Sequence, residues 1–193
     1  MTGNVRIIGG RWRGSRLPVA DVPGLRPSSD RVRETLFNWL QPIVHGARCL
    51  DLFAGSGALG LEAASRGAAS VLLIERERLL VDGLRASVGR LQGAVETVEV
   101  LQADALHWLS APSAPTAQAG PFDLAFLDPP FASDHWASVF AQLPSVLAAQ
   151  AWVYIEAAVD NSPTVPTGWH RHREGRTRDV RYALYRVNAA ADE

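Results

Sequence analysis

The strongest constraint on the fold is a regular alternation of strand-like and helix-like segments from residue 47 to residue 155. Short apolar runs predict strands, and the segments between them repeat apolar residues at helical spacing. The predicted strands are 47–53, 70–75, 96–101, 122–127 and 151–155, and the predicted helices are 58–66, 77–91, 104–110 and 134–149. Because strands alternating with helices form βαβ units, this region predicts an α/β fold with a doubly wound parallel sheet and ligands at the carboxyl ends of its strands.

Hairpins are predicted on both sides of the alternating region. Residues 5–19 predict two short strands around a glycine turn, and the helix that follows is capped within 28–30 and ends before Pro42. Residues 168–173 and 180–187 predict an antiparallel hairpin that turns through Gly175. We therefore divide the 193 residues into 1–46, a basic hairpin and helix packed on the core, and 47–193, the α/β domain.

The net charge of −1 conceals an uneven distribution of charged residues. Residues 1–48 contain eight arginines and three acidic residues, whereas residues 49–167 contain five arginines and thirteen acidic residues. Residues 168–186 are basic again, with six arginines and two acidic residues. An acidic centre between two basic ends is typical of a catalytic domain whose ends contact a polyanion.

Composition excludes several classes of protein. The chain is 47% hydrophobic and 20% charged, which excludes a disordered chain, and no apolar run approaches the ~20 residues that cross a bilayer. The first residues lack the layout of a secretory signal, so we expect a cytoplasmic protein. Cys49 is the only cysteine and the five histidines are scattered, so we expect no internal disulfide and no metal site.

A glycine-rich turn follows the first strand of the alternating region. Gly55, Gly57 and Gly60 form a G-x-G-x-x-G sequence that opens the next helix, and Glu75 ends the following strand about twenty residues later. Such glycines let the backbone approach a ligand, and a carboxylate in the second position can accept hydrogen bonds from both hydroxyls of a ribose. The pattern alone fits NAD as well as S-adenosylmethionine, and glycines that serve only packing are a third explanation.

Two further carboxylates favour S-adenosylmethionine. Asp51 begins a D-x-F-x-G-x-G sequence, where a carboxylate is poorly placed beside a pyrophosphate but well placed to bind an ammonium group. Asp104 follows the third strand, where it can accept a hydrogen bond from an adenine amino group, cap the next helix, or do both. The predicted cofactor-binding residues are Asp51, Phe53, Gly55, Gly57, Glu75 and Asp104.

The fourth strand runs directly into Asp128-Pro129-Pro130-Phe131. Prolines lack N–H groups and fix the backbone, so the Asp128 carboxylate and the Pro129 carbonyl can accept hydrogen bonds from an exocyclic amine while the Phe131 ring stacks on the base. Two acceptors favour a pyramidal amine whose lone pair can attack a methyl sulfonium. A proline turn capped by Asp128 is the alternative. No Gly-Lys-Ser/Thr or Gly-x-Ser-x-Gly sequence occurs, which disfavours phosphoryl transfer and serine hydrolysis.

These motifs resemble those of the bacterial 16S rRNA (guanine(966)-N2)-methyltransferases. The likeness extends over essentially the whole chain, and its N-terminal part is the most specific. The segments that carry it are 6–10, 24–27, 30–40, 51–60 and 128–131. The chain departs from the family in the Ala/Pro-rich loop at 111–121 and in Arg11, where relatives often have lysine.

The resemblance implies a class I methyltransferase fold with seven strands and S-adenosylmethionine as the methyl donor. It also implies N2 of one guanine in 16S rRNA as the acceptor, with the small ribosomal subunit as the partner. Asp128, Pro129 and Phe131 would then form the catalytic site, and Arg26 and Arg31 would lie near its mouth. We expect a monomer that binds neither a membrane nor a metal.

Both basic ends of the chain offer side chains for RNA. The arginines of the N-terminal hairpin surround Trp12, which predicts phosphate contacts beside a stacking surface, and the C-terminal hairpin supplies a second basic patch. A solvated hairpin face is the alternative in each case. The predicted RNA-binding residues are Arg6, Arg11, Trp12, Arg13, Arg26, Arg31, Arg173 and Arg176.

Three other functions remain open from the sequence. A DNA adenine or cytosine amino-methyltransferase would carry a similar Asp-Pro-Pro-Phe sequence, although no segment here is long enough for a target-recognition insert. An NAD-linked oxidoreductase would use the same glycine turn but would leave Asp128-Pro129-Pro130-Phe131 without a role. A non-catalytic RNA-binding assembly factor that keeps the fold would bind small subunits without methyl transfer.

Overall fold

The computed structural model of the chain describes residues 3–19, 29–111, 121–130 and 135–188. The predicted alternation is confirmed, with most boundaries within three residues of the prediction. The elements are β1 Gly3–Arg6, β2 Arg16–Val19, α1 Asp30–Trp39, β3 Arg48–Asp51, α2 Ala58–Ser65, β4 Ser70–Glu75, α3 Arg78–Arg90, β5 Val98–Gln102, α4 Ala105–Ser110, β6 Phe122–Leu127, α5 Trp136–Gln142, β7 Leu147–Ala158, β8 Trp169–Arg176 and β9 Val180–Asn188.

A seven-stranded sheet in the order β5-β4-β3-β6-β7-β9-β8 forms the centre of the fold. Strands β3 to β7 are parallel to one another, and β9 is antiparallel to both of its neighbours, β7 and β8. This confirms the predicted doubly wound α/β architecture with a C-terminal antiparallel hairpin. We call the edge where β3 to β7 end the carboxyl edge and the edge where they begin the amino edge.

Helices cover both faces of this sheet, which is why β3, β4 and β6 are apolar almost throughout. Side chains of α1, α2 and α3 pack on one face, where Leu61, Leu73 and Phe126 are fully buried. Side chains of α4 and α5 pack on the other face, together with Leu72 and Val153. Within the described part of the chain, no helix is both long and apolar enough to cross a membrane.

Two predicted boundaries are wrong. The predicted helix 134–149 ends early, because α5 stops at Gln142 and a short 3-10 helix over Leu143–Val146 leads into β7. Pro144 lies in that 3-10 helix and has no N–H for a continuing helical hydrogen bond. As a result β7 covers 147–158 rather than 151–155. The loop predicted at 111–121 lies largely outside the described residues.

The second wrong boundary is the turn of the C-terminal hairpin. Gly175 lies inside β8 opposite Tyr182, and the chain turns at 177–179, where the Thr177 N–H donates to the Val180 carbonyl at 2.8 Å. A Cβ at position 175 would lie 2.2 Å from Cζ of Tyr182. The glycine therefore makes room for a tyrosine ring instead of forming the turn.

The predicted N-terminal hairpin is present, and β1 pairs with β2 in antiparallel register. Its connection is a nine-residue loop over 7–15, longer than a simple glycine turn. Val5 and Leu17 are buried in the same hydrophobic cluster as α2, so the hairpin packs on one face of the core. In α1 the Ser29 hydroxyl oxygen caps the helix by accepting the Val32 N–H. The division at residue 46 stays a prediction.

Hydrogen bonds to the buried Glu62 of α2 hold the N-terminal loop in place. Its carboxylate is inaccessible to water and accepts the N–H groups of Ile8 and Gly9 at 2.7 and 2.8 Å. The Arg66 Nε donates to the same carboxylate at 2.7 Å, and Nη1 of the buried Arg33 lies 3.6 Å from it. We call this group of five residues the Glu62 clamp. A buried carboxylate is stable only with such a complete set of donors.

Candidate active site

Four acidic residues lie along the carboxyl edge of the sheet. Asp51 and Glu75 are the last residues of β3 and β4. Asp104 caps the helix after β5, and Asp128 follows β6 directly. Because these strands are parallel neighbours, their ends face one region of space, where ligands of such sheets bind.

The glycine turn after β3 has the backbone conformation that requires glycine. Gly55 and Gly57 have φ angles of 54° and 76°, in the left-handed region. Gly60 has a packing role, because a Cβ there would lie 2.2 Å from Cδ2 of Leu73 on β4. The turn therefore brings backbone N–H groups to the carboxyl edge while α2 packs closely against the sheet.

Asp51 is the most unusual carboxylate of the site. It is 1% exposed, and its Oδ2 accepts the Gly60 N–H at 3.0 Å. Its Oδ1 is buried and has no hydrogen-bond partner within the described part of the chain. Burial raises the pKa of Asp51 to about 7; the Gly60 and Phe53 N–H groups lower this pKa and the Glu75 carboxylate raises it further. A buried acceptor without a donor is costly, so Oδ1 marks a position for a donor group of a ligand.

Glu75 connects the glycine turn to the segment after β4. Its Oε2 accepts the Gly55 N–H and its Oε1 accepts the Glu77 N–H, both at 2.9 Å. Each carboxylate oxygen can accept a further hydrogen bond, so the two hydroxyls of a ribose can still be bound. The carboxylate is thus fixed in position before any ligand arrives.

Asp104 and Phe53 complete the predicted cofactor set. The Asp104 side chain caps α4, since its Oδ1 accepts the N–H groups of Leu106 and His107 at 3.0 Å. The cap uses only Oδ1 of this exposed carboxylate. The predicted contact between Asp104 and the adenine amino group stays a prediction. Phe53 is partly buried against the hydrophobic cluster on the α4 side of the sheet. No group of three potential metal ligands occurs within 3–19, 29–111, 121–130 and 135–188.

The Asp-Pro-Pro sequence stands one strand away from Asp51, because β6 pairs directly with β3. Asp128 is half-buried, Pro129 is buried and Pro130 is exposed. The two prolines border a small open pocket whose other walls are Trp136, Ala157, Ala158 and Asn161. Phe131, which we predicted to stack on the base, lies outside the described residues.

Sequence reasoning missed a buried polar pair beside Asp128. On β7, the neighbour of β6, the Tyr154 hydroxyl donates to Oε2 of Glu156 at 2.7 Å, and both side chains are at most 4% exposed. Burial raises the pKa of Tyr154, and the charges of Glu156 and Asp128 raise it further. The signal was present as a glutamate within the apolar run from Ala151 to Ala158.

The predicted RNA-binding residues do not form one surface. Arg176 lies opposite Arg181, which pairs with Ala157 near the carboxyl edge. Arg11 lies at the amino edge, because its guanidinium donates to the Thr97 hydroxyl directly before β5. Parallel strands of five or six residues, ~17–20 Å, separate the two edges.

The remaining predicted RNA contacts are exposed, with one exception. Arg6 pairs with Asp30 at 3.8 Å and keeps 65% of its side chain exposed. Arg13, Arg31 and Arg173 are exposed as well. Arg26 lies outside the described residues.

The exception is Trp12. The prediction that its ring offers a stacking surface to RNA is wrong. The residue is 6% exposed, and its indole Nε1 donates to the Gln92 carbonyl at 3.0 Å. Its backbone N–H donates to the Ser65 hydroxyl at 3.0 Å, and the Arg11 guanidinium lies 4.2 Å from the ring centre. Trp12 therefore anchors the N-terminal loop and cannot stack on a base.

The fold is that of class I methyltransferases. The structure of a methyltransferase from Escherichia coli matches with a TM-score of 0.84 at 44% identity, over 97% of this chain and 99% of that one. The structure of a methylase from Haemophilus influenzae matches with a TM-score of 0.76 at 38% identity, over 97% and 100% of the two chains.

Sequence comparison narrows this class to one family. Ribosomal RNA small subunit methyltransferase D of Escherichia coli strain K12 is 45% identical over 99% of this chain and 94% of its own length. The Haemophilus influenzae protein of the same name is 42% identical over 95% and 94%. Residues 5–186 match the family described as conserved hypothetical protein 95, and the chain belongs to that family. The resemblance stated from the motifs is thereby confirmed.

Proposed function

We propose that this protein transfers a methyl group from S-adenosylmethionine to N2 of a guanine in 16S rRNA of the small ribosomal subunit. One observation carries the proposal. The buried Asp51, with its unpaired Oδ1, ends β3, and the Asp128-Pro129 pair follows β6, the strand hydrogen-bonded to β3. The names of the relatives support a ribosomal RNA substrate. A ribosomal substrate also supports the predicted cytoplasmic location. The monomeric state stays a prediction.

The residues at the carboxyl edge fit S-adenosylmethionine, which supplies an electrophilic methyl group on a sulfonium when it is bound. Asp51 Oδ1 would accept a hydrogen bond from the ammonium group, which gives the buried oxygen its missing donor. Glu75 would hold the ribose and Asp104 the adenine amino group. Gly55 and Gly57 would let the backbone come close to the ligand.

Asp128 and Pro129 would act on the guanine amine. The Asp128 carboxylate and the Pro129 carbonyl would each accept one N2 hydrogen, so that the lone pair points away from the ring plane. The lone pair forms the N–C bond while the methyl carbon leaves sulfur with the C–S electron pair remaining on sulfur. The nitrogen then loses one proton, which Asp128 accepts or passes to water.

The first experiment measures methyl transfer from labelled S-adenosylmethionine to small subunits that lack the modification, with protein-free 16S rRNA and duplex DNA in parallel. Nucleoside analysis should find N2-methylguanosine, chiefly from subunits. Label in DNA would instead support an amino-methyltransferase of DNA. Binding to subunits without any label would support an assembly factor.

The second experiment replaces the proposed catalytic carboxylate. Asp128→Ala should abolish turnover and leave the affinity for S-adenosylmethionine largely unchanged, since Asp128 is assigned to the acceptor base. Calorimetry measures the affinity and a thermal melt checks folding. Near-normal turnover of this variant would contradict the role assigned to Asp128.

The third experiment uses pH to test the role of Asp51. Its pKa is about 7 in the folded protein and 3.8 in the reference state, so the folded protein binds this proton more tightly. The stability contributed by protonated Asp51 is therefore present below about pH 4 and lost as the pH rises through about 7. Ammonium binding needs the carboxylate, so cofactor affinity should fall below pH 7.

Asp51→Asn is the matched variant for this pH experiment. It should bind S-adenosylmethionine weakly at every pH and lose the dependence of affinity on pH near 7. Its unfolding free energy above pH 7 should be higher than that of the parent, because no charge is buried. A parent protein whose cofactor affinity is constant between pH 5.5 and 8 would contradict the assignment.

A further inference from the structure

The C-terminal hairpin has two faces with different electrostatic character. Side chains of paired residues point to the same face of a sheet, so Trp152 and its partner Arg186 share one face. Arg173 pairs with Leu184, which alternation places on that face as well. We call this surface the Trp152 face. Its members are Gln150, Trp152, His170, His172, Arg173 and Arg186.

Two arginines on the opposite face of the hairpin, Arg171 and Arg181, are neutralised by an acid. Glu174 pairs with both Arg171 and Arg181, and its Oε1 lies 2.9 Å from Nη2 of Arg181. The hydrogen bond from Arg181 lowers the pKa of Glu174. These two guanidinium groups therefore already have an anionic partner.

On the Trp152 face the cations have no such partner. Neither Arg173 nor Arg186 forms an ion pair with any acidic side chain within the described residues. Arg186 donates to Oε1 of Gln150 at 2.8 Å, which orients the guanidinium without neutralising it. Exposed arginines without a carboxylate are suited to bind phosphate oxygens.

A partly exposed indole lies among these cations. The Arg186 guanidinium is 5.6 Å from the centre of the Trp152 ring, and the His172 ring meets it edge-on at 5.0 Å. Trp152 is only partly buried, whereas Trp12 in the N-terminal loop is covered. Cations beside an aromatic ring are the usual components of surfaces that bind unpaired nucleic acid.

The Trp152 face is separate from the proposed acceptor site. Leu127, the residue before Asp128, pairs with Ile155, and Trp152 lies three residues from Ile155 toward the amino edge. Three residues of a strand span ~10 Å. Arg186 is displaced by a further strand, since β9 lies beyond β7. A phosphate bound here therefore lies about a nucleotide's length from Asp128, outside the residues assigned to the guanine amine.

We propose that the Trp152 face binds the sugar-phosphate backbone of ribosomal RNA at a second position, away from the target guanine. This inference rests on the proposed function for the identity of the RNA. It assigns Arg186, Trp152 and His172 to substrate binding, and it assigns Arg171 and Arg181 to hairpin stability. An acidic patch of a ribosomal protein is the competing partner and is an outcome of the test.

The test compares two double variants that remove the same charge from opposite faces of one hairpin. Arg173→Gln/Arg186→Gln removes the unpaired cations, and Arg171→Gln/Arg181→Gln removes the paired ones. Binding of each full-length variant to small subunits is measured at several salt concentrations, and methyl transfer is measured in parallel. A thermal melt and the affinity for S-adenosylmethionine check that each variant is folded.

The first variant should bind subunits about tenfold more weakly at low salt, with the slope of log affinity against log salt reduced by about 2, one for each lost phosphate contact. In methyl transfer the loss should appear mainly as a higher KM for subunits, because no reacting group is touched. The second variant should lose less than twofold in affinity. Such a difference between the faces supports the proposal.

Three results would overturn it: equal losses in the two variants, no loss in the first, or, when binding to protein-free 16S rRNA is measured in parallel, a loss with subunits but none with the RNA, which would indicate a protein partner. Failure of the proposed function is distinguishable, because binding does not require turnover. If the two double variants differ in binding but the parent forms no N2-methylguanosine, the RNA surface is supported and the proposed reaction is wrong. If the parent methylates guanine N2 but the two double variants bind equally, only the inference about the Trp152 face is wrong.

Discussion

The two hairpins of the protein are both rich in exposed arginine, yet only the N-terminal hairpin is fixed to the core by hydrogen bonds of its loop. The N-terminal loop directs its polar groups inward, where Glu62, Ser65 and Gln92 receive them. In the C-terminal hairpin, β8 exposes every side chain from residue 170 to residue 174. The loop of one hairpin is anchored to the core, whereas β8 of the other is open to solvent.

The difference teaches that a count of basic residues does not locate a binding surface. What separates Arg11 and Trp12 from Arg173 and Arg186 is the partner available to each side chain after folding. Arg11 and Trp12 find partners at Thr97 and Gln92, more than 75 residues away in sequence. Arg173 and Arg186 find no carboxylate within the described residues, so their charge is available to a ligand.

The largest expected effect is on stability, from replacing the anchoring carboxylate of each hairpin. Glu62→Ala should lower the free energy of unfolding by about 3–5 kcal/mol, because it removes the acceptor of the Ile8 and Gly9 N–H groups and the carboxylate that lies 3.6 Å from Nη1 of the buried Arg33. Glu174→Ala should lower it by only about 0–1 kcal/mol, since its ion pairs are exposed. Urea denaturation measures both. Similar values for the two variants would contradict the distinction.

A smaller effect is expected from Trp12→Phe. The variant keeps an aromatic ring but removes the indole donor to the Gln92 carbonyl, which should lower the free energy of unfolding by about 1–3 kcal/mol. Its affinity for small subunits should equal that of the parent at temperatures where both are folded. If the variant bound small subunits more weakly but kept the parent's free energy of unfolding, Trp12 would be an RNA contact after all.

Affinity for the substrate should distinguish the two edges of the sheet. Arg176→Gln, near the carboxyl edge, should weaken binding of small subunits three- to tenfold, an effect on the order of 1 kcal/mol. Arg13→Gln, beside Trp12 at the amino edge, should change it less than twofold. Neither exposed side chain should affect stability measurably. The reverse order of effects would place the RNA across the amino edge.

The smallest expected effect is the change that salt makes to the stability contributions of Glu62 and Glu174. At 1 M NaCl the stability difference between Glu174→Ala and the parent should vanish, because exposed charges are screened over a few ångströms. The difference for Glu62→Ala should persist, since water and ions do not reach this carboxylate. Denaturation at two salt concentrations measures this, and an equal response of both variants would show that Glu62 is accessible.

Sequence reasoning located the central sheet well because β3, β4 and β6 are buried on both faces. Such strands are continuous apolar runs whose ends are marked by Asp51, Glu75 and Asp128. The glycine turn was equally clear, since the left-handed conformations of Gly55 and Gly57 restrict the residue type. These features are set by short segments of the chain.

The features that sequence reasoning missed depend on contacts between distant segments. Burial of Trp12 results from Ser65 and Gln92, which no local pattern connects to it. Gly175 resembles a turn residue in sequence, and only the ring of Tyr182 on the neighbouring strand explains it. Likewise the separation of paired from unpaired arginines requires the strand register that brings Arg181 to Glu174.

The Glu62 clamp sets a limit on how the protein can be divided or recombined. The helix that begins at the glycine turn carries Glu62 in its middle and Arg66 at its end. A fragment that starts at residue 47 would expose a carboxylate shaped to receive the amides of residues 8 and 9. The minimal unit that builds the cofactor turn therefore includes residues 3–19. Chimeras between relatives should exchange 3–19 and 58–66 together.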